Sequence, residues 1–63
     1  MFIVEIEKAD GEVTYYSNQK WFDKQEDAEE RMEYLWNLHA HTGRYAAFRV
    51  IGHDGETCTE LEC

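Results

Sequence analysis

Hydrophobic and polar residues alternate over residues 2–7, which is the pattern of a strand with one buried face. The dipeptide Asp10-Gly11 follows, and it favours a two-residue hairpin turn in which both central residues have positive φ. The alternation resumes over residues 13–17. Closing a hairpin on this turn pairs Ile6 with Tyr15. Paired residues share a face of a sheet, so this register predicts a common apolar face made of Val4, Ile6, Val13 and Tyr15.

The middle of the chain has the periodicity of an amphipathic helix. Nothing over residues 24–42 breaks a helix, and apolar side chains recur on one side. This stripe consists of Ala28, Met32, Leu35 and His39, flanked by Trp36 and Leu38. Asp23 is a suitable N-cap, and Glu26 completes the spacing of a capping box. Gly43 is suited to end the helix.

The C-terminal segment alternates again around a second Asp-Gly dipeptide, Asp54-Gly55. A two-residue loop there pairs Phe48 with Leu61 and Arg49 with Glu60. The first pair is apolar and suits the core, whereas the second joins opposite charges on the outer side of the sheet. Because both pairs are chemically sensible in this register, the pattern predicts a second hairpin. The same register pairs Ile51 with Cys58.

The elements run in the order ββαββ and predict an α+β fold. Two β-hairpins flank one amphipathic helix, which packs on a four-stranded, mostly antiparallel sheet. The pattern does not determine the strand order. We expect residues 1–63 to form a single compact domain, because a chain of 63 residues supports one core. The expected core consists of Val4, Ile6, Tyr15, Met32, Leu35, Phe48, Val50 and Leu61.

Composition restricts the functional classes. Fourteen acidic residues against six Lys and Arg give a net charge of −8, and the hydrophobic fraction of 43% is too high for a disordered acidic tail. No apolar run reaches the length of about 18 residues that spans a membrane, and the N-terminal segment lacks the basic start of a signal peptide. Cys58 and Cys63 would lie roughly 16 Å apart on one strand, too far for a disulfide. These features predict a cytoplasmic protein with reduced thiols.

Catalytic and metal sites are not expected. The candidate metal ligands do not follow the short paired spacings of zinc sites: His39, His41, His53, Cys58 and Cys63. Ser17 is the single serine, and no glycine-rich phosphate loop is present. One helix on a sheet also offers no deep pocket. We therefore expect a non-enzymatic protein with no cofactor, and the charge of −8 opposes direct binding of nucleic acid.

The acidic start of the helix is the most informative feature of the sequence. Residues 23–33 contain two basic residues, Lys24 and Arg31, and six acidic ones: Asp23, Glu26, Asp27, Glu29, Glu30 and Glu33. Like charges four residues apart cost about 0.2–0.5 kcal/mol per pair. Carboxylates spaced ~4.5–6 Å along a helix resemble a row of phosphates, so a basic site built for nucleic acid would accept them. The alternative interpretation is a solvated face that keeps the protein in solution.

Apolar residues on the side of the sheet away from the helix form a second candidate surface. We expect a dimer contact there, made by Ile3, Tyr16, Tyr45 and Ile51. A small core gains stability when dimerisation buries additional apolar surface. The alternative function is therefore a structural or regulatory homodimer, associated through an exposed sheet face or edge and without charge mimicry.

In size, acidity and α+β composition the chain is similar to short accessory proteins of bacterial viruses, some of which block host nucleases or defence complexes. The similarity covers the whole chain, includes no motif and assigns no residue roles. It implies a phage or mobile-element inhibitor or modulator. Together with the acidic helix, it predicts docking on a basic host protein, such as a nuclease or another nucleic-acid-binding protein.

Overall fold

A computed structural model describes residues 1–63 as one helix packed across one face of an antiparallel sheet. The elements are β1 Phe2–Lys8, β2 Val13–Tyr15, β3 Trp21–Phe22, α1 Gln25–His39, β4 Tyr45–Gly52 and β5 Thr57–Glu62. The strand order is β2-β1-β4-β5, and the two-residue strand β3 also pairs with β1. The predicted α+β fold, with two hairpins flanking one amphipathic helix, is confirmed.

The two longest strands, β1 and β4, pair at the centre of the sheet. Val4 lies opposite Val50, and Ile6 lies opposite Phe48. All four side chains are buried beneath the helix, because these strands carry the densest run of apolar residues. The first strands of the two hairpins are therefore joined directly, and the shorter strands lie at the sheet edges.

The first Asp-Gly turn closes a three-residue loop rather than a two-residue loop. The Lys8 N–H donates to the Glu12 carbonyl at 2.7 Å, and the Gly11 N–H donates to the Lys8 carbonyl at 2.9 Å. Gly11 has φ +92°, as predicted, but Asp10 does not have positive φ. Its carboxylate instead accepts the Glu12 N–H at 2.9 Å. This is a type I turn followed by a left-handed glycine.

The added loop residue shifts the first hairpin by one position and turns every β2 side chain over. Tyr15 lies opposite Glu5 rather than Ile6, on the side away from the helix. Val13 is 47% exposed. The predictions that Tyr15 belongs to the core and that Tyr16 faces outward are both wrong. Tyr16 packs against the core, and its N–H donates to the Val4 carbonyl at 3.0 Å.

The second hairpin has the same three-residue loop, but a β-bulge restores its register. The Gly52 N–H donates to the Glu56 carbonyl at 2.9 Å, as at the first turn. The strand register then shifts between Val50 and Ile51, so that Ile51 lies opposite Thr57 rather than the predicted Cys58. Beyond the bulge, the predicted pairs Phe48 with Leu61 and Arg49 with Glu60 are confirmed.

A further bulge reorients the start of β4. The register between β1 and β4 shifts at Glu7 and Lys8, and Lys8 lies opposite Tyr45. The Tyr45 ring therefore faces the helix, with its centroid 5.4 Å from that of Phe48 and 5.1 Å from that of His39. The prediction of Tyr45 as an outward dimer contact is wrong, because strict alternation takes no account of the bulge.

The helix is shorter than predicted at both ends. It covers Gln25–His39, with Lys24 at the N-cap position and no side-chain cap. Asp23 lies one residue too early to cap it, so the predicted capping box with Glu26 does not form. At the C-terminus the Thr42 N–H donates to the His39 carbonyl at 3.1 Å. Gly43, at φ +74°, follows this added turn instead of ending the helix directly.

The core lies between the helix and the central strands. Its buried members are Val4, Ile6, Ala28, Met32, Phe48 and Val50. Leu35 and Leu61 are partly buried and pack at its margin, in agreement with the helical stripe and the second hairpin. Leu38, which flanks the stripe in sequence, is 47% exposed.

Candidate functional site

The outward side of the helix carries carboxylates with no internal partner. We define the acidic face as Asp27, Glu26, Glu30 and Glu33, all exposed. None of them takes part in the protein's four ion pairs or in a side-chain hydrogen bond. Helical geometry places these residues along the outer side because Ala28 and Met32 occupy the buried side.

Two of the six predicted partner-binding residues lie outside the acidic face. The Glu29 carboxylate accepts hydrogen bonds from Gln25 Nε2 at 2.9 Å and from Thr59 Oγ1. These bonds, the Gln25 bond first, lower the pKa of Glu29 below its usual value. Glu29 thus connects the helix to β5. Asp23 is exposed in the turn before the helix.

Arg31 does not neutralise the acidic face. Its guanidinium lies 5.4 Å from the ring centroid of Tyr16 and 5.1 Å from that of Tyr34, which are cation–π distances. It forms no ion pair with Asp27, although the spacing of four residues permits one. The cation in the middle of the helix therefore contacts aromatic rings, and the carboxylates of the acidic face form no ion pair with it.

An open groove runs beside the acidic face. It has a volume of about 540 Å3 and is lined by Phe22, Asp27, Glu30, Arg31 and Tyr34. Tyr34 is 53% exposed. We call this feature the Tyr34 groove. Tyr34 and Phe22 are not among the site residues predicted from the sequence. The spacing of four residues between Glu30 and Tyr34 was the available signal, since it places these two on one side of the helix.

The side of the sheet away from the helix is here called the outer face. Its residues form three rows, and each row has one residue from β2 or β3 and one each from β1, β4 and β5. The apolar row is Trp21, Ile3, Ile51 and Thr57. The middle row is Tyr15, Glu5, Arg49 and Glu60. The last row is Val13, Glu7, Ala47 and Glu62. Strand pairing alone therefore separates an apolar end from an acidic end.

The apolar end of the outer face is partly covered by its own aromatic residues. Ile3 is only 4% exposed, whereas Trp21 is 45% exposed. These two residues line a cleft of about 230 Å3 together with Tyr15 and Ile51. Ile3 and Ile51 lie on this side, as their alternation predicts. Trp21 is predicted as exposed apolar surface but not as part of this face, because β3 is too short to show an alternation. Tyr15 is predicted in the core, because the alternation takes no account of the shifted register.

The acidic end is held together by one arginine. Arg49 Nη1 lies 2.6 Å from a Glu5 carboxylate oxygen, and Nη2 lies 2.8 Å from Glu7 and 2.7 Å from Glu60. These hydrogen bonds raise the pKa of Arg49 above its usual value, although its burial opposes the shift. The cluster carries three carboxylates and one cation, so it stays anionic.

The histidines and cysteines do not form a common site. No group of three or more His, Cys, Asp or Glu side chains is placed to hold a metal ion. His39 packs on the Tyr45 ring, while His41 and His53 are exposed. Both cysteines are free and exposed. The two surfaces that remain as candidates are the acidic face with its groove and the outer face.

No family model, curated protein or solved structure matches the chain. The protein has no helix that is long and apolar enough to cross a membrane. The charge and shape of the two surfaces are therefore the basis for a functional proposal.

Proposed function

We propose that this chain is a cytoplasmic, non-enzymatic binding protein that docks its acidic face on a basic protein that handles nucleic acid. The proposal includes the role of an inhibitor or modulator encoded by a phage or mobile element. The observation that supports it is the set of exposed helix carboxylates without a partner, beside an arginine engaged by two tyrosines.

The electrostatics favour such a partner. The net charge is −8, and four of the fourteen acidic residues lie together on the outward side of the helix. An anionic patch of this kind steers a basic protein and raises the association rate at low salt. The same charge repels nucleic acid, which favours the basic protein itself as the target.

The shape of the surface favours a protein over a small substrate. The acidic face is the convex side of a helix, and the groove beside it is open to solvent. Small-molecule sites are usually concave and enclose most of their ligand. A convex row of carboxylates suits a broad basic concavity, such as a cleft that normally follows a phosphate backbone.

The test compares two charge-reversal variants with the same net charge. Glu30→Lys with Glu33→Lys changes the acidic face, and Glu12→Lys with Glu56→Lys changes the two hairpin turns. Each pair changes the net charge from −8 to −8 + 4 = −4. A partner captured by the wild-type protein is purified and titrated against both variants at low and high salt.

The variant of the acidic face should bind the partner more than about tenfold more weakly than wild type does, because each close charge pair contributes ~1.5 kcal/mol or more. The turn variant should lose only the part of the affinity that depends on overall charge. Wild-type binding should also weaken steeply as salt is raised. Equal affinities for the two variants would show that the acidic face is only a solvated surface.

A second candidate function is a structural or regulatory homodimer formed through the outer face. The apolar row favours it, because Trp21 remains 45% exposed on a side that no helix covers. Tyr16 and Tyr45 take no part in this surface, since both pack on the opposite side. Such an association depends on apolar burial, so added salt should not weaken it, whereas added salt should weaken binding through the acidic face.

A further inference from the structure

The Tyr34 groove combines two chemical features that the acidic face alone lacks. Its lining includes two aromatic residues, Phe22 and Tyr34, and two residues with carboxylates, Asp27 and Glu30. Both carboxylates lack hydrogen-bond donors within the protein. They lie three residues apart on the helix, so their side chains are neighbours.

Arg31 lines the groove without forming an ion pair with either carboxylate. Its guanidinium lies over the rings of Tyr16 and Tyr34, at 5.4 and 5.1 Å from their centroids. A second cation, Lys20 Nζ, lies 5.2 Å from the ring centroid of Phe22. Neither Lys20 nor Arg31 forms an ion pair with Asp27 or Glu30, so both carboxylates can still accept donors from an entering side chain.

We propose that the Tyr34 groove accepts an arginine side chain of the basic partner. This inference rests on the proposed function and names the group that anchors it. The carboxylates of Asp27 and Glu30 accept the N–H donors of the entering guanidinium. Its flat face lies against the exposed Tyr34 ring.

The groove selects arginine over lysine because of shape. A guanidinium is planar and presents several donors in a fixed fork, which one or two carboxylates accept together. It also stacks on an aromatic ring while those hydrogen bonds are formed. A lysine ammonium is a compact, strongly hydrated charge that gains only the Coulomb attraction. Arg31 makes cation–π contacts of this kind with two tyrosines within the chain.

The probe is the capped peptide acetyl-Gly-Gly-Arg-Gly-Gly-amide, titrated into the 15N-labelled protein and followed by NMR. The same peptide with Lys or citrulline in place of Arg provides the comparison. The Arg peptide should shift the signals of Asp27, Glu30 and Tyr34 and bind about two- to fivefold more tightly than the Lys peptide, the gain expected for one exposed cation–π contact. The citrulline peptide keeps the planar shape without the charge and should not bind measurably.

Matched variants locate the contact. Asp27→Asn with Glu30→Gln should abolish binding of the Arg peptide, whereas Glu26→Gln with Glu33→Gln removes equal charge from the same helix and should retain it. Tyr34→Leu should remove the preference for Arg over Lys. All of these side chains are exposed, so the amide spectra away from the helix should stay unchanged.

Equal binding of the Arg and Lys peptides, or equal losses in the two double variants, would overturn the groove as an arginine site. Both results would still be compatible with docking of the acidic face. The charge-reversal comparison with the purified partner tests that docking separately. Absence of Arg-peptide binding at millimolar concentrations would likewise overturn the groove proposal.

Discussion

Arg49 is the side chain on which the acidic end of the outer face depends. It is 16% exposed and bonds to carboxylates from β1 and β5 on either side of its own strand. Its planar fork can meet several oxygens at once, which an ammonium group cannot do. The three glutamates around it would repel one another if it were removed.

Arg49→Met should therefore lower the free energy of unfolding by about 1–3 kcal/mol, the cost of leaving charged groups unpaired, reduced by their partial exposure. Arg49→Lys should fall between this variant and wild type. Arg44→Met is the control, because exposed Arg44 forms no ion pair and should change stability by less than about 0.5 kcal/mol. Urea unfolding measures all three, and equal effects at the two positions would contradict a structural role for the cluster.

Glu29 makes the contact between helix and edge strand dependent on pH. Its hydrogen bonds to Gln25 and Thr59 lower its pKa below the ordinary value of 4.5. A lowered folded-state pKa stabilises the protein above the unfolded-state value, and this contribution is lost as the pH falls through the folded-state value. Thermal unfolding of wild type and Glu29→Gln should therefore differ most at neutral pH, and the difference should shrink as the pH falls below 4.5 and through the lowered folded-state value. A difference in unfolding temperature that stays constant across this pH range would show that the charge of Glu29 does not contribute to the contact.

At the scale of the elements, the chemistry of the turns decides the strand register, which the hydrophobic pattern leaves open. The Asp-Gly dipeptides correctly predict both turns, but the aspartates cap the following Glu N–H groups and add a residue to each loop. In the second hairpin a bulge compensates for that residue, and in the first hairpin nothing does. Alternation therefore predicts the correct side of the sheet for Arg49 and the wrong side for Tyr15. Bulges depend on pairing between distant segments, which a single strand does not encode.

The connector between β2 and β3 is the most strained backbone in the protein. Ser17, Asn18 and Gln19 have φ values of 50°, 59° and 68°, and the Lys20 N–H closes the turn on the Tyr16 carbonyl at 3.1 Å. Each left-handed non-glycine residue costs roughly 1–2 kcal/mol. This turn lets Tyr16 and Phe22 both face the helix, where their rings stack with centroids 6.3 Å apart.

Glycine should stabilise this turn, against its usual effect. Gln19→Gly should raise the free energy of unfolding by about 0.5–1 kcal/mol, because relief of the left-handed strain exceeds the added entropy of the unfolded chain. Lys20→Gly is the control at a position without positive φ, and it should destabilise the protein. Chemical unfolding of the two variants should give shifts of opposite sign. Destabilisation by both would mean that the left-handed turn stores little strain.

At the scale of the whole molecule, the sequence was most reliable where periodicity and burial act together. The helical stripe through Met32 and the burial of Val4 and Val50 follow directly from spacing. The pairing of Val4 with Val50 does not, because the pattern leaves the strand order open. The Tyr34 groove could not be predicted from spacing, since it joins residues from the helix and from β3, a strand too short to give a pattern. The outward carboxylates were evident in the sequence, but the engagement of Arg31 by tyrosines was not, because it depends on the folded position of Tyr16.

The arrangement of charge on the outer face limits how two copies can associate. Stacking the entire faces would bury four glutamates and one arginine from each copy: Glu5, Glu7, Glu60, Glu62 and Arg49. Burying unpaired charges costs several kcal/mol per ion. A two-fold axis along the apolar row avoids this cost, because it places the two acidic ends on opposite sides. The contact is then small, and interfaces well below about 800 Å2 per partner are weak.

This geometry predicts a homodimer that forms only at high micromolar concentration and strengthens with salt. Added salt screens the repulsion between two chains of charge −8 and leaves the apolar contact intact, whereas it weakens docking of the acidic face. Trp21→Lys should abolish dimerisation. Tyr34→Lys should not, although it places the same charge on an aromatic residue of similar exposure, 53% against 45%. Sedimentation equilibrium decides between the states, since a mass of 7.5 kDa for wild type at high concentration and high salt would exclude the dimer.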